Sequence, residues 1–169
     1  LLAKAKGKDE KLALLNKRLE NIRTTIFRQI MFADFERAIH GEVEKGGALT
    51  SDRINEIYAG LIRKYYGPDF VIGPDDAAEW SYVPHFYYNF YVYQYATGLM
   101  SGIALSQMVQ AGAEGSQARY LDFLKAGGSD YPLEILQRAG VDYRTAAPMT
   151  ATFELFERTL AEFEALLDD

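Results

Sequence analysis

Between Asp9 and Glu44 apolar residues recur every three or four positions: Leu12, Leu15, Leu19, Ile22, Ile26, Ile30 and Ala33, with Lys, Arg and Glu between them. That period sets them on one face of an α-helix. Phe27, Met31, Phe35 and Ile39 add a second stripe, so this helix is expected to be widely buried in its second half and to act as a spine of the domain. Gly46-Gly47 ends it. Thr50 or Ser51 suits the N-cap of the next helix, about 52–66, whose inner face is Ile54, Ile57, Tyr58, Leu61 and Tyr65. Gly67-Pro68 stops that helix. Residues 69–81 contain Gly73-Pro74 and Asp75-Asp76 and read as an ordered loop with a helical turn near Trp80.

Pro84 suits the first turn of a further helix that should run to about Ala111. Gly98 and Gly102, with Ala96, Ser101 and Ala104, make a small-residue strip along it, which lets another helix approach closely. Ser116 is placed to cap a short helix over 117–125, with Tyr120, Phe123 and Leu124 inward. Pro132 opens another, closed by Gly140, and 141–149 read as irregular. Thr150 is placed to cap the last helix, where Phe153, Phe156, Leu160, Phe163 and Leu167 keep helical spacing. No strand-like alternation, repeat or low-complexity segment interrupts this pattern. It predicts an all-α, multi-helical fold of about six helices around a buried uncharged aromatic helix.

That aromatic stretch sets the chain apart. From Trp80 to Ala113 there is no Asp, Glu, Lys or Arg, and six of the twelve tyrosines lie between Tyr82 and Gly98, with His85, one of two histidines. Such a run is a helix buried on nearly all sides, a membrane crossing, or the lining of an aromatic, polar-tipped cavity. Residues 86–109 are long enough to span a bilayer, but Asn89, Gln94, Thr97, Ser101, Ser106 and Gln107 and the lack of a flanking Lys/Arg cluster argue against it.

Composition narrows the partners. The chain has 169 residues, 49% hydrophobic and 25% charged, with net charge −6, which fits one globular domain or a piece of a larger one. An acidic protein lacks the basic face that phosphates require, so no nucleic-acid partner is expected. The absence of cysteine excludes disulfides, thiolate metal sites and a cysteine nucleophile, and suits a cytoplasmic location. The N-terminus, Leu1-Leu2-Ala3-Lys4-Ala5-Lys6, carries neither an initiator Met nor a signal peptide, as expected of a cut inside a longer chain.

Few residues offer chemistry. His40-x-Glu42-x-Glu44 is not a helical ligand spacing, because residues i and i+2 point apart. No Gly-x-Ser-x-Gly elbow or phosphate-binding glycine loop occurs. No metal ligands are expected within the chain. On a helix, His85, Tyr88, Val92, Tyr95 and Leu99 would share one face, with Tyr87, Tyr91, Gln94 and Gly98 on the next. Phenols and an imidazole on a rigid element can stabilise an oxyanion or grip a peptide backbone. The same spacing also suits tyrosines that merely pack, each hydroxyl meeting water or a carbonyl.

Pro84-His85-Phe86-Tyr87, then Phe90-Tyr91-Val92-Tyr93-Gln94-Tyr95-Ala96-Thr97-Gly98, closely resembles the C-terminal region of the oligoendopeptidase F family, one of the thimet oligopeptidase-like zinc metallopeptidases. Ile22-Arg23-Thr24-Thr25-Ile26-Phe27-Arg28-Gln29-Ile30-Met31-Phe32-Ala33-Asp34-Phe35-Glu36 resembles a helix of the same family. Gly47-Ala48-Leu49-Thr50, Tyr65-Tyr66-Gly67, the run Tyr120 to Ser129, and Ala139-Gly140-Val141-Asp142 follow in the family's order, so the resemblance covers essentially the whole chain. Ser81-Tyr82 departs from it, standing where an Arg-Ile-like pair is expected.

The resemblance implies that residues 1–169 are the C-terminal helical part of a larger metallopeptidase catalytic domain. It implies a zinc cofactor whose His-Glu-x-x-His helix and later glutamate ligand precede this segment, so the chain's own residues bind none and the chain is inactive alone. What it implies here is the substrate wall: His85 and Tyr88 in catalysis, with Tyr91, Tyr95 and Tyr82 binding substrate. The implied partners are short peptides and the preceding part of the same polypeptide, with no membrane. An apolar face left bare would favour self-association. The competing expectation is a non-catalytic helical binding or scaffold module that keeps the family core.

Overall fold

The computed structural model describes residues 2–73 and 75–168; Leu1, Pro74 of the Gly73-Pro74 pair, and Asp169 lie outside the described residues. Those residues form seven α-helices and no strand: α1 (Lys8–Ile22), α2 (Arg28–Glu44), α3 (Ser51–Tyr66), α4 (Tyr93–Gln110), α5 (Ser116–Ala126), α6 (Pro132–Ala139) and α7 (Ala147–Asp168). The all-α class follows the apolar periodicity. None of the described helices is long and apolar enough to cross a membrane.

The expected spine is present but does not serve one core. A π-helical turn, Arg23–Phe27, joins α1 to α2, and the chain divides into two compact units at this point. Arg23–Ala96 makes one unit; the residues up to Ile22 and from Thr97 onward make the other.

In the second of these, α1 packs on α7. Leu15 and Ile22 of α1 are buried, as are Thr152 and Thr159 of α7. The two threonine hydroxyls donate to the carbonyls of Pro148 (2.9 Å) and Leu155 (2.7 Å), so their burial leaves no donor unpaired. Gly140 closes α6 with φ 103°, and a Cβ there would come within 3.2 Å of Met108 Sδ, so conformation and space both call for glycine.

Several local expectations are corrected here. Helix α7 starts at Ala147 rather than after Thr150, and Gly115, not Ser116, holds the N-cap of α5 with φ 67°. Tyr120 and Leu124 face outward, leaving Phe123 as the inward aromatic of α5. In the small-residue strip the space beside Gly98 and Gly102 is open among the described residues, while Tyr143 approaches Ser101 at 2.9 Å.

The unit 23–96 is built on α2 and α3. Thr50 caps α3, its hydroxyl accepting the Arg53 N–H at 3.3 Å, and Gly67 ends the helix with φ 86°. Met31, Phe32, Phe35, Tyr58, Ile62, Val83 and Val92 form the core. Phe35 meets Tyr58 edge-on at 5.1 Å and packs on Phe86 at 5.0 Å; Phe32 meets Phe86 edge-on at 5.3 Å. These offset geometries suit aromatic quadrupoles.

One polar network crosses this core. The fully buried Tyr58 donates its hydroxyl to Glu79 Oε2 at 2.5 Å, while Arg28 pairs with Glu79 Oε1 and reaches the Tyr66 hydroxyl at 3.2 Å. Burial, then the carboxylate that accepts its hydrogen bond, push the Tyr58 phenol far above its ordinary pKa, so it remains a donor. Tyr58→Phe removes the partner of a charged oxygen and should cost about 1.5–3 kcal/mol in denaturant unfolding.

Asp34 ties α2 to α3. It accepts from Lys64 at 2.8 Å and from Arg37 at 2.8 Å, and these two partners, Lys64 first, hold its carboxyl below the ordinary range. A carboxyl depressed on folding stabilises the fold above its unfolded pKa and loses that contribution as pH falls through the folded value. The stability difference between the native chain and Asp34→Asn is therefore expected to be constant near neutrality and to shrink as the pH falls through and below the ordinary carboxylate range, checked by denaturant titrations across that range.

Candidate functional site

The uncharged aromatic stretch does not form the single buried helix expected from Pro84 to Ala111. Its first part is a 3-10 turn, Pro84–Tyr87, preceded by another over Asp76–Tyr82. The chain then bends through Asn89 (φ 41°) and Phe90 (φ 55°), and α4 begins only at Tyr93. With three residues per turn, Val83 and Phe86 fall on the same side, and both join the core. Val92 returns to that core and is fully buried. Three apolar anchors thus hold the segment, and the residues between them turn outward.

Exposure follows from that anchoring. Tyr87 is 72% exposed and Tyr88 63%, with Phe90, Tyr91, Tyr93 and Tyr95 also at the surface. Apart from Val83 and Val92, the uncharged run supplies buried positions only from Ala96, Met100, Ser101 and Leu105 onward. The expected burial of the aromatic half is corrected: phenol hydroxyls and an imidazole make a surface that water tolerates without formal charge.

The outward side chains form one cluster. The His85 ring stacks on Tyr91 at 5.9 Å with 17° between planes, and meets Tyr95 edge-on at 5.6 Å and Tyr88 edge-on at 6.5 Å. Tyr91 in turn meets Tyr88 at 6.1 Å and Tyr95 at 5.6 Å, both edge-on. Four of the five residues anticipated from sequence are therefore together. Tyr91, expected on a neighbouring helix face, is their centre, while Val92, expected among them, points into the core. Tyr82 stands apart, 73% exposed, its hydroxyl 3.5 Å from Glu79 Oε1.

Hydrogen bonds order the cluster. The Tyr95 hydroxyl lies 3.1 Å from His85 Nε2. Tyr91 hydrogen-bonds Tyr95, and this bond is the first cause of a raised Tyr95 pKa, ahead of burial. Each phenol hydroxyl can donate or accept and the imidazole carries at least one N–H, so the cluster can offer hydrogen-bond donors to whatever binds there.

Glu36 holds the loop from beneath, and the sequence reading did not single it out for this. It is 1% exposed, and its Oε1 accepts the Phe90 N–H at 2.5 Å. Its neighbours Phe32 and Phe35 are core residues, so a carboxylate inside an apolar arc was the available signal. Among the described residues no group of three or more His, Cys, Asp or Glu side chains is placed to hold a metal ion.

Comparison with known proteins fixes the class. The chain belongs to peptidase family M3, whose family model matches residues 1–155. Within that class its relatives are oligopeptidases. Oligopeptidase PepF of Bacillus subtilis (strain 168) is 44% identical over 167 residues, covering 99% of this chain and 25% of its own length. Oligoendopeptidase F, plasmid, of Lactococcus lactis subsp. cremoris is 44% identical over 168 residues, covering 99% of this chain and 28% of its own. The crystal structure of oligoendopeptidase-F from Enterococcus faecium matches with a TM-score of 0.96 at 42% identity, over 99% of this chain and 32% of that one. The chain thus spans about a quarter of the length of the curated relatives it matches.

Proposed function

We propose that this chain is the C-terminal helical part of a zinc-dependent oligoendopeptidase that hydrolyses short peptides, and that it supplies the substrate wall of the cleft. The observation that carries this reading is the outward cluster of His85, Tyr88, Tyr91 and Tyr95 in a member of a peptidase family. When a peptide carbonyl is attacked, its oxygen gains negative charge. His85 and Tyr88 donate hydrogen bonds to that oxygen, which strengthen as the charge develops and so favour the transition state over the bound substrate. Tyr91 and Tyr95 fix the His85 ring and grip the peptide, with Tyr82 a further contact outside the cluster.

The zinc that the family resemblance implies finds no ligand set among the described residues. This reading therefore assigns its ligands to the rest of a longer polypeptide, the chain's obligatory partner. A cysteine-free composition is in keeping with a cytoplasmic enzyme.

Two assays test the division of labour. The full-length polypeptide is expected to cleave a quenched fluorescent peptide and to lose that activity on chelation. The 169-residue chain alone is expected to cleave nothing and to retain no zinc after dialysis. Peptide cleavage or one tightly held zinc per chain would contradict the assignment. A full-length protein with no peptidase activity would favour a non-catalytic scaffold.

A further inference from the structure

We propose that Glu36 is a positioning residue for the His85–Tyr88–Tyr91–Tyr95 cluster, clamping the left-handed turn at Asn89 and Phe90 on which the cluster depends. The inference rests on the function proposed above and adds a residue that would act through the Phe90 amide.

Two consecutive residues with positive φ, neither of them glycine, are held in a region that L side chains rarely adopt. Something must over-determine such a turn. Two groups on α2 do so. Glu36 takes the Phe90 N–H, and His40, one helical turn along, packs its ring on the Phe90 ring at 4.6 Å. The turn lies between Tyr88 and Tyr91, so its geometry sets how the 3-10 turn bearing His85 meets the tyrosines that follow.

The chemistry of Glu36 points the same way. Its Oε2 is buried with no hydrogen-bond partner among the described residues. A carboxylate among Phe32, Phe35 and their neighbours is costly, and a leucine of similar size would pack there more favourably. Stability alone therefore does not account for the residue. Its one hydrogen bond, to the amide at the strained turn, does.

The test uses the full-length polypeptide with Glu36→Leu, Glu36→Gln and His85→Ala, reading hydrolysis of a quenched fluorescent peptide, melting temperature and hydrogen exchange at the Phe90 amide. Glu36→Leu is expected to keep or raise the melting temperature, to lose protection at Phe90, and to lower kcat by about tenfold or more with KM within about threefold. Glu36→Gln keeps a carbonyl acceptor and is expected to retain Phe90 protection and a rate within about threefold of the native one. An unchanged kcat in Glu36→Leu, or equal losses in both variants with a lowered melting temperature, overturns the inference. If His85→Ala is impaired and Glu36→Leu is not, only this inference fails; if His85→Ala is itself fully active, the reading of the site fails.

Discussion

Replacing His85 by alanine in the full-length polypeptide is expected to lower kcat about 10²–10³-fold, the scale of losing one oxyanion donor. The melting temperature should barely change. His85 lies on a 3-10 turn whose anchors are Val83 and Phe86, not the imidazole. Removing the ring also strips Tyr95 of its partner at 3.1 Å and Tyr91 of its stacking face at 5.9 Å, so peptide binding should weaken as well. The expected signature is a large fall in kcat with a smaller rise in KM, measured by steady-state hydrolysis at several peptide concentrations. A variant as active as the native protein would remove His85 from the mechanism.

The second large effect is on folding. Phe35 is fully buried and touches Tyr58, Trp80 and Phe86, which come from α3 and from both 3-10 turns. Phe35→Ala should destabilise the protein by about 3–5 kcal/mol, combining lost burial with the cavity left behind. The damage should also reach the site, because Phe86 anchors the turn that carries His85. In hydrogen exchange, the amides of 83–92 should lose protection along with those of α2 and α3. A loss under about 1 kcal/mol would mean that this core repacks freely around the gap, contrary to the close packing of interiors.

Both effects bear on what the sequence could reveal. Helices α2, α3 and α6 were readable because their ends carry local chemistry: Gly46-Gly47 after α2, the Thr50 cap and Gly67 around α3, Pro132 and Gly140 around α6. The apolar stripes of α2 and α3 correctly named Met31, Phe35 and Tyr58 as buried, and missed Ile62. The aromatic segment departs from one buried helix for two physical reasons. Absence of formal charge does not require burial, because tyrosine and histidine carry polar tips that water accepts. Helical spacing does not continue through Asn89 and Phe90, whose positive φ accompanies contacts with α2 from far away in sequence. Asn89 was the one local hint, since asparagine tolerates the left-handed region better than most residues.

The proximity of these side chains is legible in the sequence because part of their spacing is common to both geometries. His85 and Tyr88 are neighbours three apart on a 3-10 turn as on an α-helix. Tyr91 and Tyr95 lie four apart, and Tyr91 stacks on His85 across the positive-φ pair Asn89 and Phe90. Glu36 could not be assigned from sequence, because its meaning lies in the amide it accepts, 54 residues away.

The most direct measurement is the kcat and KM of Tyr88→Phe in the full-length polypeptide. That substitution removes one hydroxyl from a side chain 63% exposed and leaves the ring contacts with His85 and Tyr91 in place. A substrate wall that acts on the transition state predicts a fall in kcat of about tenfold or more with KM within about threefold. An unchanged kcat would contradict it and reduce these tyrosines to surface packing.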